Sequence, residues 1–232
     1  MSYFYFWFEP YIAIIGDIKN SKKIQDRNCF QQKFKKILDQ INIKYADSIA
    51  SNFTITLGDE FQGLLLSGKY LMDIILYIKK EIYPYEIRFG IGIGAITTQI
   101  NHEVSLGADG PGYHKARNSI ETLKKLEKQR EVAFTDILIG IDEESDNKLQ
   151  ELTLNTIFKL MYAIEKKWTK KQRETILYML VNNANQLDTS KHFDVSASNI
   201  HQIITKGNFN AYKESFINLK EIMNEVCHYV KF

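Results

Sequence analysis

The sequence predicts a mixed α/β body followed by a smaller all-helical part, and three observations predict it. Short apolar runs of strand length alternate with amphipathic stretches of helical period from Tyr11 to Ile139. Beyond the acidic stretch Asp142-Glu143-Glu144-Ser145-Asp146 the pattern is helical throughout. Charge divides the chain in the same region: residues 166–232 hold 10 basic and 6 acidic side chains, whereas residues 1–165 hold 20 and 22. The expected units are therefore an α/β domain over residues 1–145 and a helical domain over 146–232.

Each element follows from its own pattern. Tyr11–Ile15 is a continuous apolar run, as in a central strand covered on both faces, and it ends in Gly16-Asp17. From about Asp26 to Tyr45, the residues Phe30, Phe34, Ile37, Leu38 and Ile41 share one helical face. Phe53–Leu57 and Phe61–Leu66 flank Gly58-Asp59-Glu60, a β-hairpin with acids at its tip. Tyr70–Ile82 reads as a second helix. Ile87–Ile96 reads as a strand with Gly90, Gly92 and Gly94 on one face, bare of side chains because something packs close to it. The loop Gly107-Ala108-Asp109-Gly110-Pro111-Gly112 leads into a third helix ending near Arg130. Val132–Phe134 and Ile137–Ile139 close the unit as a further strand. The order β-α-β-β-α-β, then α-β, is the split-βαβ arrangement of ferredoxin-like domains.

Composition excludes several classes. With 44% hydrophobic residues the chain buries an ordinary core, and a net charge of +2 excludes a polycation that grips nucleic acid over its whole surface. Three prolines and twelve glycines exclude collagen-like and linker-rich architectures. The aromatic start, Met1 to Phe8, is interrupted by Glu9-Pro10 and lacks a signal peptide's basic region and cleavage site. It is either an edge strand or a partner contact. No window reaches the ~20 apolar residues of a membrane span. Cys29 and Cys227 form no metal-ligand spacing. The expectation is a soluble, cytoplasmic protein with no membrane contact.

The split-βαβ order places Asp17, at the end of the first strand, beside Asp59 and Glu60 in the hairpin. Carboxylates brought together are reconciled by a shared proton or a divalent cation, and an oxygen-only donor set suits Mg²⁺ or Mn²⁺. Taken singly, Asp59 is also ordinary hairpin-tip chemistry and Asp17 also a strand-end or capping residue. The loop at Asp109 either cradles a phosphate ahead of the third helix or is a plain turn. Lys115 and Arg117 on that helix either reach phosphate oxygens or sit on a solvated face. No catalytic residue is identified.

In the helical part, Thr169 caps a helix whose apolar face is Ile176, Leu177, Leu180 and Val181. A short helix over about Leu187–Phe193, the turn Asp194-Val195-Ser196 and a Ser-capped helix Ala197–Lys206 then follow the pattern of a helix-turn-helix, spanning about 169–207 in all. Ala197, Ser198, Asn199, His201 and Gln202 are candidates for base edges of double-stranded DNA, and Lys170, Lys171, Arg173, Lys191 and Lys206 for phosphates. Three-helix units of this shape also serve as packing or dimer modules. The last helix, Tyr212–Val230, reads as core or as a dimer seam.

The segments Tyr11–Ile24, Ser51–Leu64 and Gly110–Arg117 together resemble the SatD family, most specifically in Ile-Thr-Leu-Gly-Asp-Glu-Phe-Gln-Gly from Ile55 to Gly63. By itself that resemblance assigns no reaction. More distantly, the first 140 residues resemble the palm of class III nucleotidyl cyclases and of GGDEF diguanylate cyclases. This likeness implies a fold class: an α/β, ferredoxin-like cyclase-type palm (βαββαβ core) followed by a small all-helical helix-turn-helix domain. It implies Asp17 and Asp59 as metal ligands, with the Ile18 carbonyl, and a nucleotide held near Ile18, Lys19, Gly58, Asp109, Lys115 and Arg117. It also implies a homodimer. Arg88–Gly94 is similar to the glycine-rich strand of class III cyclases, and Ala116-Arg117 to the end of their asparagine-containing helix motif. The departures are specific. Leu57 replaces a glycine of the diguanylate motif, Ile55 stands where a base-selecting side chain is carried, and Tyr113 falls at the catalytic asparagine. Neither cyclase activity follows. The sequence therefore reads as a cytoplasmic regulator with a metal- and nucleotide-binding palm coupled to a DNA-binding unit. Its rivals are an active metal-dependent phosphoryl or nucleotidyl transferase and a catalytically silent interaction scaffold.

Overall fold

The computed structural model describes residues 4–56, 58–129, 135–143 and 146–227. The apolar run at Tyr11 forms β1 (Tyr11–Ile18), which pairs antiparallel with β3 (Glu60–Leu65) on one side and with β4 (Ile87–Gly94) on the other. β2 (Ile49–Ile55) lies outside β3, and β5 (Ile137–Ile141) adds parallel to β4. The order β2-β3-β1-β4-β5 is the expected split-βαβ sheet extended by one parallel strand. Val132–Phe134, expected to help form the last strand, lies outside the described residues.

Strand alternation sends Ile12, Ile14 and Ile18 to one face of the sheet and Ala13 and Ile15 to the other. The first face is covered by α1 (Arg27–Lys44) and α2 (Leu71–Ile82). In α1 the five side chains expected to share a face, Phe30, Phe34, Ile37, Leu38 and Ile41, are the buried ones. The second face is covered by α3 (Pro111–Lys128), through Tyr113, Ala116 and Ile120. α3 lies directly on the glycine strand: a Cβ on Gly92 would stand 1.8 Å from the Gly112 carbonyl oxygen, and one on Gly90 2.2 Å from that of Ala116. Those contacts are backbone against backbone, so no side chain fits between strand and helix.

The helical part comprises α4 (Lys148–Glu165), α5 (Lys170–Asn182), α6 (Gln186–His192), α7 (Ala197–Lys206) and α8 (Phe209–Asn224). α4 lies against β5, and Leu154, Phe158 and Met161 join the same apolar cluster as α1 and α2. That cluster continues through Ile176, Ile200 and Leu219 into α5, α7 and α8. Phe216, Leu219 and Met223 of α8 are buried, so the last helix is core rather than an exposed seam. No helix among the described residues is long and apolar enough to cross a membrane.

Asparagine side chains close both edges of the sheet. On β5, Asn155 of α4 accepts from the Ile139 N–H and donates to its carbonyl, both at 2.8 Å. On β2, Asn42 of α1 makes the same pair with Phe53, at 2.8 and 3.0 Å. A carboxamide offers one donor and one acceptor in the spacing of a peptide unit, so it ends the ladder as a further strand would. The aromatic start is tied down differently: Asn147 accepts from the Tyr5 N–H at 3.0 Å and donates to the Tyr5 carbonyl at 2.6 Å. Phe4 is buried there, and residues 4–10 form a strap, not an edge strand.

Asn155→Ala strands a buried N–H and a buried carbonyl. It is expected to lower the unfolding free energy in urea by about 2–3 kcal/mol; an unchanged midpoint would show that water satisfies the edge equally well.

Candidate functional site

Register builds the rim of the sheet. Asp17 stands opposite Glu60 on β3 and opposite Arg88 on β4. The expected convergence of the first-strand and hairpin acids is thus present for Asp17 and Glu60, whose side chains are 9% and 7% exposed. Arg88 lies two residues before Gly90 and so faces α3. From α3, Arg117, Lys124 and Glu127 reach down over the rim.

The acids meet cations of the same chain. Asp17 accepts from Arg88 through one carboxylate oxygen and lies 2.7 Å from the Lys124 ammonium through the other. Glu60 pairs with Arg117 at 2.6 Å. Arg88 also pairs with Glu127, and Glu127 lies 2.7 Å from Lys19. Lys19 in turn lies 3.5 Å from Glu86. Asp59 is turned to a different partner: its carboxylate accepts from the Ser21 hydroxyl, while its carbonyl accepts the Ile18 N–H at 3.0 Å. The Gly58 carbonyl accepts from the Gln31 amide at 2.9 Å. Among the described residues no group of three or more His, Cys, Asp or Glu side chains is arranged to hold a metal ion. With both Asp17 oxygens and one of Glu60 already neutralised, this donor set does not fit a resident Mg²⁺ or Mn²⁺.

The pKa directions follow from these contacts. Burial opposes ionisation of Glu127, but hydrogen bonds from Arg88 and Lys19 outweigh it and hold the carboxyl below its ordinary value. Burial likewise opposes the charge on Lys19, but Glu127, Tyr162 and Glu86 together outweigh it and raise the ammonium. Tyr113, at the position of the cyclase asparagine, is buried with a hydroxyl that has no hydrogen-bond partner among the described residues, and burial pushes its pKa up.

The loop before α3 is occupied by its own contacts. Asp109 pairs with His114 at 2.8 Å, its N–H donates to the Thr98 hydroxyl at 2.7 Å, and the Gly112 N–H donates to the Ala95 carbonyl at 3.2 Å. Lys115 pairs with Glu143 at 2.7 Å. These groups form a braced turn in which the Asp109 and Gly112 N–H donors are already engaged within the chain.

In the helical part the local signals hold. Thr169 and Gln172 form a capping box, and Ser196 accepts from the Asn199 N–H at 3.2 Å to start α7. Ile200, Ile203 and Ile204 of α7 are buried. Tyr178 of α5 stacks on His192 of α6 at 3.9 Å between ring centroids, fixing the short helix against α5. The opposite side of α7 is polar: Ala197, Ser198, His201, Gln202 and Lys206 are exposed and Asn199 is half-buried. Lys170, Lys171 and Lys191, on α5 and α6, are also exposed. Arg173 is placed otherwise. Its guanidinium is committed to Glu165, through the carboxylate and, at 3.0 Å, through the backbone carbonyl.

Sequence reasoning missed Arg88, Lys124 and Glu127. A signal was available for each: Arg88 precedes the glycine face by one alternation, and Lys124 and Glu127 lie seven and ten residues after Arg117, on its helical face.

A model of the SatD family matches residues 11–218. No curated protein matches the chain. Among solved structures, the non-canonical dimeric guanylyl cyclase domain of the RhoGC fusion protein from the aquatic fungus Blastocladiella emersonii shares 15% identity at a TM-score of 0.37, over 49% of this chain and 74% of its own. The catalytic core of a rhodopsin-guanylyl cyclase with converted specificity, in complex with ATPalphaS, shares 16% at 0.31, over 49% and 71%. A regulator of polyketide synthase expression from Bifidobacterium adolescentis shares 9% at 0.26, over 93% and 86%. These are partial likenesses of shape and assign no activity.

Because the folded Glu127 carboxyl lies below its ordinary 4.5, its contribution to stability is present above that pH and fades as pH falls through the lower folded value. The melting temperature of the wild type should exceed that of Glu127→Gln at pH 7, with the gap closing below pH 4.5. A gap that is constant with pH would sever the link between the rim network and stability.

Proposed function

We propose that this chain, which belongs to the SatD family, is a cytoplasmic DNA-binding regulator whose sheet domain is a charge-compensated scaffold rather than a working cyclase. The observation that carries the reading is the polar outer side of α7. That helix is capped by Ser196, anchored by three buried isoleucines, and presents Ser198, His201 and Gln202 to solvent, while Lys170 and Lys171 of α5 and Lys191 of α6 are exposed as well. A helix held this way from behind, beside a short helix and a tight turn, has the form that enters a major groove. The lysines supply phosphate contacts, and the serine, asparagine, histidine and glutamine supply hydrogen bonds to base edges. Arg173 is left out of that set because Glu165 holds it.

A homodimer fits a half-site reader, and the outer side of α4 supports it: Leu149, Leu152 and Leu160 are exposed by 72, 62 and 63%. Exposed apolar stripes of this kind mark contact surfaces. The metal and nucleotide reading survives in a narrower form, supported by the register of Asp17 against Glu60. A nucleotide with its divalent ion would have to take Arg88, Lys124 and Arg117 onto its phosphates and release the acids.

Electrophoretic mobility shift with the full chain and a duplex selected from a random-sequence pool tests the DNA reading. Replacing Lys170 and Lys171 by Ala should reduce the slope of log K against log salt by about 2, uniformly across sequences, whereas Gln202→Ala should cost about 1–3 kcal/mol and relax preference at one base position. Failure of the intact chain to select any sequence removes the reading. Separately, Mg²⁺ or Mn²⁺ with ATP or GTP should leave the melting temperature unchanged. A rise of several degrees that Asp17→Asn abolishes would restore the nucleotide reading.

A further inference from the structure

A cavity of about 100 Å³ lies where the sheet domain meets the ends of α4 and α5. Its wall carries four cationic side chains, Lys19, Lys79, Lys166 and Arg173, against three acids, Glu86, Asp136 and Glu165. The two buried acids are turned to Lys79, whose ammonium lies 2.6 Å from each. Lys19 and Arg173 are held in place from behind. Lys19 leans on Glu127 at 2.7 Å, outside the cavity wall. Arg173 spends donors on the Glu165 carboxylate and carbonyl and stacks over Tyr83 and Trp168, at 5.9 and 5.7 Å to the ring centroids. A guanidinium has five N–H donors in a rigid plane, so donors remain and their direction is set before any ligand arrives. Lys19 and Lys166 sit over the Tyr162 ring, at 5.7 and 6.0 Å.

We propose that this seam cavity binds a small phosphate-type oxyanion, held by Arg173, Lys19 and Lys166. Three features carry the proposal together. Four cationic side chains converge on the wall, and those of Lys19 and Arg173 are only 9% and 22% exposed, which strengthens their field on an anion. A fixed guanidinium matches the tetrahedral oxygens of phosphate in a way that a mobile surface lysine does not. The volume is several times the ~10–15 Å³ that admits one water, so there is room for an oxyanion of that size. The wall is built from the β1 end, the α2–β4 connection and the ends of α4 and α5, so an anion there bridges the sheet domain and the helices. By mass action it favours the joined arrangement. The proposal uses no residue of α7 and stands apart from DNA binding.

Calorimetric titration of the full chain with orthophosphate, at fixed ionic strength and with chloride as the reference anion, tests it. Saturable binding is expected, weakened at least tenfold by Arg173→Gln and by Lys166→Gln, and unchanged by Lys36→Gln on the exposed side of α1. Lys166→Gln keeps Lys79, Arg173 and Tyr212 on Glu165, so the test survives if Arg173→Gln fails to fold. Glycerol phosphate titrated in parallel separates the sources: tighter orthophosphate binding points to the free ion, tighter ester binding to the phosphate of a larger ligand. Absence of saturable binding for both anions, or equal binding in wild type and Lys166→Gln, overturns the proposal.

Discussion

Glu165 ends α4 with its carboxylate buried, and donors from three other helices converge on it: Lys79 of α2 at 2.6 Å, Arg173 of α5, and the Tyr212 hydroxyl of α8 at 3.0 Å. Lys79 also holds Asp136, just before β5, at 2.6 Å. A carboxylate taken out of water is costly, and removing one partner of such a group costs ~3–5 kcal/mol. Burial opposes the charge on Glu165, yet Lys79 and Arg173 outweigh it and hold the pKa below the carboxylate range. Burial wins at Asp136, which is raised despite Lys79. The apolar core supplies most of the attraction between helices and sheet, but it is non-directional. The ion network is directional, and it fixes which turns of α2, α4, α5 and α8 face one another.

The rim of the sheet follows a related rule with a different consequence. Two acids that strand pairing brings together need compensation, and here a strand and a helix of the same chain provide it. Arg88 comes from β4, while Lys124 and Arg117 come from α3. The close seat of α3 on the glycine strand is what brings its side chains within reach. Glycine, helix and ion pairs are therefore one device. It leaves the two acids compensated by cations of the same chain. Lys19 lies both in this rim network and on the wall of the seam cavity, so the two charged regions share a residue.

Much of this was legible because it is local. The α1 face, the glycine strand packed close by a helix, the Thr169 and Ser196 caps, and the Asp17–Glu60 approach each follow from period, spacing or element order. What was not legible is long-range and polar. Glu165 and Lys79 are 86 residues apart, and nothing in either neighbourhood marks a partner. Counting charge by halves even divides the chain directly after Glu165, at the residue where the halves are tied. Arg173 looked like a phosphate contact because it lies in a basic run, and only its buried partner shows otherwise. Asn42 and Asn155 carry no signal at all, since an asparagine on a helix is ordinary until it faces a strand edge.

The coupling through Glu165 is tested most directly by urea unfolding followed with two probes in a Trp7→Phe background. Fluorescence of Trp168, buried between α4 and α5, reports the helical part, and far-UV circular dichroism reports the whole chain. The account predicts coincident transitions for that background, and an earlier Trp168 transition once Glu165→Gln is added. Separate transitions with Glu165 intact, or coincident ones without it, would contradict it.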